Sequence, residues 1–320
     1  MFGRIRGVDL PNIRRAQPYP AGAPVTINAQ VSHWGPDKVN YAGIYINLER
    51  SVNRRSAMES QILRYGVYDV YNRFPAADGN ILGVSSTLTE AELGCLTSHY
   101  LVCRQHLNSH MHLHVVEDDV MFSSIMKDAI SAIISSRLIE RYDILFLDTI
   151  IAPFKQNLSV WKCKAMYDKL VTRDVHGKLV KIDLDSELVD YVAAATSYLL
   201  NCGSIKKLLS FYETVLAEEV KQPIDIMLRE NGKAGVIRVG CLFPFLTSIR
   251  MDTRTTMTGR NCDELSVLAI NILRHSFFVE RDIGLLLSIA DKLTEHITAD
   301  PHLRLISQLM AFCASPRFRW

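Results

Sequence analysis

The sequence lacks several things, and each absence removes a class of protein. No uninterrupted apolar stretch is long enough to cross a bilayer, so a lipid-borne substrate would be met from the membrane surface. The first residues hold no apolar h-region, so no secretory signal is expected. No Cys-x-x-Cys pair occurs: Cys95, Cys103, Cys163, Cys202, Cys241, Cys262 and Cys313 are odd in number and scattered. Reduced thiols in the cytoplasm are expected, not a disulfide frame or a zinc site. The net charge is only +2, too small to argue for a nucleic-acid partner. No internal repeat or low-complexity tract is visible, which removes solenoids and disordered arrays.

What is present is an ordinary soluble composition, with 48% hydrophobic and 22% charged residues. The length suits one large α/β domain or two smaller ones. Charge is biased at the ends. Arg4, Arg6, Arg14 and Arg15 face only Asp9, and Arg317 and Arg319 sit beside Phe318 and Trp320. Basic and aromatic ends can touch an anionic membrane surface, or they are plain solvated termini.

The chain is organised around His114-Val115-Val116-Glu117-Asp118-Asp119-Val120, an apolar run that stops in three acids. It reads as a buried strand whose carboxyl end emerges at the surface. Strand alternation puts Glu117 and Asp119 on one side and Asp118 on the other. Two neighbouring carboxylates repel unless something positive lies between them. A hard divalent cation, Mg²⁺ or Mn²⁺, would serve and could carry a diphosphate on its open positions. A solvated acidic turn at a strand end is the plainer alternative.

Residues 1–40, rich in Pro, Gly, Asn and Arg, read as an N-terminal extension. Residues 41–261 read as the main domain, and 262–320 as a helical C-terminal extension of three amphipathic helices. Within the domain a first strand is expected over 42–48, then a helix after Ser51 that Gly66 can end, then a second strand over 67–74. Thr89 and Glu92 have capping-box spacing and open a helix to about Leu107. The acidic strand follows at 112–117, a helix at 123–138 and a strand at 143–148. A hairpin is expected within 151–186, a strand over 192–200, helices over 204–220 and from Pro223, and a last strand over 236–243. Strand, helix, strand in this order suggests a mostly parallel sheet with flanking helices, which binds ligands beyond its carboxyl edge.

Laid out in this order, the segments resemble glycosyltransferase family 25, the lipopolysaccharide and lipooligosaccharide galactosyl- or glucosyltransferases. The likeness rests on Ile46-Asn47-Leu48-Glu49-Arg50-Ser51 followed by Arg54-Arg55, on Arg73-Phe74-Pro75-Ala76-Ala77-Asp78-Gly79, and on Leu88 to His99. The acidic triplet and weaker echoes at Thr196 to Leu200 and Pro223-Ile224-Asp225 complete it over about 44–245. The resemblance implies a GT-A-like fold, a UDP-sugar donor (most often UDP-galactose), inversion at the anomeric carbon and Mn²⁺ or Mg²⁺ at the triplet. It also implies a lipid-linked or free oligosaccharide acceptor, while the scattered cysteines and the basic, aromatic ends lead to the expectation of a cytoplasmic place, peripheral on the inner membrane face. The triplet is Glu-Asp-Asp where Asp-x-Asp is the generic form; the longer Glu117 side chain is expected to reach the metal through water, and Asp119 directly.

Candidate roles follow. Asp119 is the first choice for metal and Glu117 the second. Asp225 is the choice for general base, against a plain helix-start acid facing the macrodipole. Arg50 and Arg55 are candidates for the phosphates, Arg55 ahead of Arg50, and Asn47 for the uracil or ribose. Asp118, Asp78, Gly79, Ser98 and His99 are donor-site candidates, and Glu92 is a cap first and a site residue second. His110, His112 and His114 share a strand face and could hold Zn²⁺, but no fourth ligand is spaced for it. Phe146-Leu147-Asp148-Thr149 suggests a phosphatase-type aspartate without its second acid. The rival to an enzyme is a non-catalytic glycan- or nucleotide-binding module, and the C-terminal helices could form a homodimer.

Overall fold

The computed structural model describes residues 24–28, 40–79, 87–151, 157–217, 220–250 and 264–296, with Gln308 and Cys313. In chain order come β1 (Val25–Asn28), β2 (Tyr41–Asn47), α1 (Val52–Arg64), β3 (Tyr71–Pro75), α2 (Glu90–Gln105) and β4 (His112–Glu117). Then follow β5 (Val120–Phe122), α3 (Met126–Ser135), β6 (Ile144–Phe146), α4 (Asn157–Leu170), β7 (Val171–Arg173) and β8 (Leu179–Leu184). The rest are β9 (Ser197–Leu200), α5 (Ile205–Ala217), α6 (Ile224–Lys233), β10 (Val239–Cys241), β11 (Thr247–Ile249), α7 (Glu264–His275) and α8 (Ile283–His296).

The central sheet has six strands in the order β10-β6-β9-β4-β2-β3. β4, β2 and β3 run parallel, as do β10 and β6, while β9 is antiparallel to both neighbours. Continuous apolar runs make this sheet because both faces are covered by helices. Val115, Val116, Ile144, Leu145 and Phe146 are completely buried in it. α1 and α2 are the crossovers that bring β3 and β4 back parallel to β2, so three strand ends meet at one edge. The protein is therefore mixed α/β around a mostly parallel sheet.

Local signals explain several element ends. Thr89 and Glu92 form the capping box their spacing announces: Thr89 N donates to Glu92 Oε2 at 2.8 Å and Glu92 N to Thr89 Oγ1 at 3.3 Å. Gly66, at φ 64°, turns the chain out of α1. Ser51 sits at the N-cap of α1, but its side chain caps nothing.

The structure departs from the expected elements in five places. The stretch expected as a hairpin alone also contains α4, whose buried positions Val160, Cys163, Lys164 and Tyr167 have helical spacing. Lys164 interrupts the apolar stripe and hides it; its ammonium reaches Asp168 at 2.8 Å. β3 starts at Tyr71, because Val67 to Val70 form a turn that hydrogen-bonds back to α1. β9 runs antiparallel, which no local pattern announces. β5 and β11, three residues each, pair with one another and were not foreseen. β1, inside the expected extension, pairs antiparallel with β8. The third C-terminal helix, expected near 303–310, lies outside the described residues apart from Gln308.

α7 and the turn after it share the core of the domain: Phe277, Phe278 and Val279 are buried, and Val279 N donates to Phe245 O at 3.0 Å. Among the described residues no helix is long and apolar enough to cross a membrane.

His114 makes the core sensitive to acid. It is buried between the Tyr71 hydroxyl and Ser197 Oγ, at 3.0 Å from the latter, and burial pushes its pKa down to about 3. An unfolded imidazole titrates near 6.5, so the unfolded chain takes a proton that the folded one refuses. Stability is therefore expected to fall as pH drops below about 6.5, with the loss continuing towards 3. His275, pushed down to about 4 by burial, adds a loss of the same sign. Urea unfolding of wild type and His114→Gln between pH 7.5 and 4.5 checks this; the variant should show the shallower slope, and equal slopes would refute the assignment.

Candidate active site

β2, β3 and β4 end side by side, with Asn47 opposite Pro75 and Ile46 opposite Glu117. A cavity of about 290 Å³ opens there, between these strand ends and the first turns of α1 and α2. Its wall includes Arg50, Arg54, Asp78, His99, Glu117 and Asp118. The size is at the lower edge of the range for small-molecule sites.

The acidic triplet does not alternate as a strand would. β4 stops at Glu117, and Asp118 and Asp119 form the turn into β5. Glu117 and Asp118 both reach the cavity wall, whereas Asp119 lies behind it, 5% exposed. Asp118 accepts from Asn47 Nδ2 at 2.6 Å and from Arg54 at 3.1 Å; Arg54 is also 3.6 Å from Asp119. Burial, opposed by Asn47 and Arg54, leaves the Asp118 pKa raised.

Asp119 is the least satisfied member. Its Oδ1 is buried with no hydrogen-bond partner among the described residues. Burial first, and then the charge of Glu117, push its pKa up to about 7. Glu117 is partly buried, which opposes its charge, yet hydrogen bonding to His99 and Cys95 leaves its pKa lowered. An ionised Glu117 beside a carboxylate with an unpartnered oxygen is a donor set that fits a hard divalent cation.

The other expected residues fall into two groups. Arg50 pairs with Asp78 on the cavity wall, and Gly79 lies beside them. Gly94 and Gly79 allow the turn 76–79 to rest on α2: a Cβ on Gly79 would lie 1.7 Å from Glu90 O, and one on Gly94 2.8 Å from Ala77 O. Ser98 completes this contact, accepting from Ala77 N at 2.9 Å while donating to Gly94 O at 2.7 Å. Gly94→Ala should therefore cost about 1–3 kcal/mol despite the better helix propensity of alanine. A thermal melt checks it, and a melting temperature at or above wild type would show that the turn does not rest on the helix.

Arg55 is not on the wall. With Arg73 it holds Asn47 Oδ1, at 3.2 and 3.0 Å, and both arginines pair with Glu49. Glu92 serves the capping box and is also off the wall. Asp225, in the first turn of α6, accepts from Ala194 N at 3.2 Å and Ile226 N at 2.8 Å. It too is off the wall; burial raises its pKa, and the charge of Glu117 raises it further.

Sequence reasoning assigned no role to Arg54, Cys95, Tyr198 or Arg274, which the fold brings to this region. Arg54 stands next to Arg55 in the same motif, so its only signal was position. Tyr198 meets His99 Nδ1 from 99 residues away. Arg274, 1% exposed, pairs with fully buried Asp148 and with Thr196 behind Asp119. That pairing occupies the aspartate that had suggested a phosphatase. The three alternating histidines do not converge: β4 begins only at His112, whose Nδ1 accepts from Cys202 N at 3.3 Å, while His114 faces Tyr71 and Ser197.

Fold and site together define a mixed α/β protein with an acidic, arginine-flanked cleft at the carboxyl edge of parallel strands. Residues 42–228 match the model of glycosyltransferase family 25 (LPS biosynthesis protein). The match covers more than half of the chain, and the chain belongs to that family. No curated protein matches it. Membership makes it a glycosyltransferase of lipopolysaccharide biosynthesis, with a sugar donor and a glycan acceptor.

Proposed function

We propose that this chain is an inverting, metal-dependent hexosyltransferase with a GT-A-like domain. It moves a hexose, galactose first among the candidates, from a UDP-sugar to a hydroxyl of a lipopolysaccharide-type glycan, lipid-linked or free. The observation that carries this is Asp119 Oδ1, buried just behind the cavity wall with no hydrogen-bond partner among the described residues, next to ionised Glu117, which lines the cavity of about 290 Å³. Asp119 first, and Glu117 with it, would hold Mn²⁺ or Mg²⁺. When bound, that ion supplies positive charge for the leaving diphosphate.

The chain's own groups do the rest. Arg54 and Arg50 line the cavity and orient the phosphates through planar, charge-assisted hydrogen bonds. Asn47, itself buried and clamped by Arg55 and Arg73, fixes Asp118 at the wall, where Asp118 serves the ribose or uracil. Asp225 takes the proton from the acceptor hydroxyl. Its raised pKa makes it a better proton acceptor than an ordinary aspartate, and displacement from the opposite face inverts the anomeric carbon.

We place the protein in the cytoplasm, peripheral on the inner face of the membrane through its basic and aromatic ends. Exposed Ile283, Leu285 and Leu287 on α8 support a dimer contact in the helical extension 262–320. Incubation with Mn²⁺, a panel of UDP-hexoses and a lipopolysaccharide core acceptor tests the reaction. One donor should give UDP and a glycan whose new linkage, by NMR coupling, has inverted configuration. Retained configuration, or no UDP from any donor, would overturn this function.

A further inference from the structure

One cluster on the cavity wall has a composition that hard-cation chemistry does not require. Cys95 and His99 lie one turn apart on α2, and both point at the end of β4. Cys95 Sγ is 3.3 Å, and His99 Nε2 3.4 Å, from the same oxygen, Glu117 Oε1. The sulfur, the nitrogen and the oxygen lie within 4.8 Å of one another.

Hydrogen bonds account for the lowered pKa of Glu117 and for the Cys95 contact, but they leave the His99 contact long. A contact of 3.4 Å is long for a hydrogen bond to an ionised carboxylate, which normally closes to about 2.7–2.9 Å. Ligands around one tetrahedral cation are spaced differently. With metal–nitrogen and metal–oxygen bonds of about 2.0–2.1 Å and metal–sulfur of about 2.3 Å, the edges are about 3.3 Å for N···O and about 3.5 Å for S···O. The observed N···O and S···O separations, 3.4 and 3.3 Å, lie within about 0.2 Å of these edges.

The surroundings agree. His99 Nδ1 faces the Tyr198 hydroxyl, the outer partner that fixes which ring nitrogen is left to bind a metal. His99 is completely buried, so its ring is held in this orientation. Cys95, His99 and Glu117 all line the cavity, so a fourth position would face its interior.

We propose that Cys95, His99 and the Oε1 oxygen of Glu117 form a three-ligand site for a borderline divalent cation of the Zn²⁺ class, with its open fourth position turned into the cavity and Glu117 Oε2 left to the Asp119 side. Thiolate and imidazole select such an ion over Mg²⁺ or Mn²⁺. Its binding releases the Cys95 thiol proton to solvent. At that open position the ion would present a Lewis-acidic face to an anionic oxygen. That this oxygen belongs to the donor rests on the function proposed above; the ligand set itself does not.

Cobalt(II) titration of the full chain, followed by absorption spectroscopy, tests the site without reference to activity. Wild type should bind one Co²⁺ with a near-ultraviolet thiolate-to-cobalt charge-transfer band and the intense visible bands of tetrahedral cobalt. Zn²⁺ should displace it. Cys95→Ser should lose the charge-transfer band, and His99→Gln should weaken cobalt binding at least tenfold. If His99→Gln melts near assay temperature, Cys95→Ser alone decides. No band in folded wild type, or a band that survives Cys95→Ser, overturns the proposal. UDP calorimetry with Mn²⁺ on the same preparations keeps the two readings apart. A cobalt band without Mn²⁺-assisted UDP binding supports this site and refutes the donor reading; the reverse result refutes this site alone.

Discussion

Asp119→Asn is expected to remove Mn²⁺-dependent UDP binding and to lower transfer at least about a hundredfold, the scale lost with one group that stabilises developing charge. Asp119 carries the buried carboxylate oxygen that has no partner among the described residues, and burial, reinforced by the charge of Glu117, raises its pKa to about 7. An amide of the same shape keeps the packing but offers no anion to a hard cation. The backbone contact of the turn, Arg250 N to Asp119 O at 2.8 Å, does not depend on the side chain. The variant should therefore fold, with a melting temperature no lower than that of metal-free wild type, since the substitution removes repulsion with Glu117. Calorimetry with and without Mn²⁺, beside thermal melts, separates the outcomes. Transfer within tenfold of wild type would show that the metal assignment is wrong.

Asp225→Asn should act on a different step. The amide oxygen can still accept from a backbone N–H, so the start of α6 is kept, but the group no longer takes up a proton. kcat is expected to fall by about 10²–10⁴ with little change in donor KM, because general-base catalysis is worth that much and Asp225 is off the wall of the cavity. Steady-state kinetics with UDP-sugar binding measured in parallel checks the split. A raised KM with unchanged kcat would reassign Asp225 to binding, and no change in either would reduce it to a helix-start acid satisfied by Ala194 and Ile226.

The sequence carried the cleft's location well and its depth poorly. The apolar run into Glu117, the capping box at Thr89 and Glu92, and the strand–helix–strand order were local patterns, and local patterns survive folding. They placed the Asn47–Arg55 and Glu117–Asp119 regions at one edge of the sheet, where β2 and β4 do end together, whereas Asp78 and His99 came from the family resemblance. Strand alternation failed at Asp118 because it holds only while the strand continues, and β4 ends one residue earlier. Arg55 was chosen for the phosphates and Arg54 passed over because the motif does not say which arginine faces the cleft: on a helix, adjacent residues point about 100° apart. One faces the cavity, and the other turns back to Asn47. Arg274 with Asp148, and Tyr198 with His99, were beyond reach, since each pair joins distant elements that only the tertiary fold brings together.

Calorimetric titration of UDP into the full chain, with Mn²⁺ and again with a chelator, bears most directly on the cation-carried pyrophosphate. Binding with one-to-one stoichiometry in Mn²⁺, weakened at least tenfold by the chelator and by Asp119→Asn alike, is the predicted result. UDP affinity indifferent to both the ion and Asp119 would contradict it.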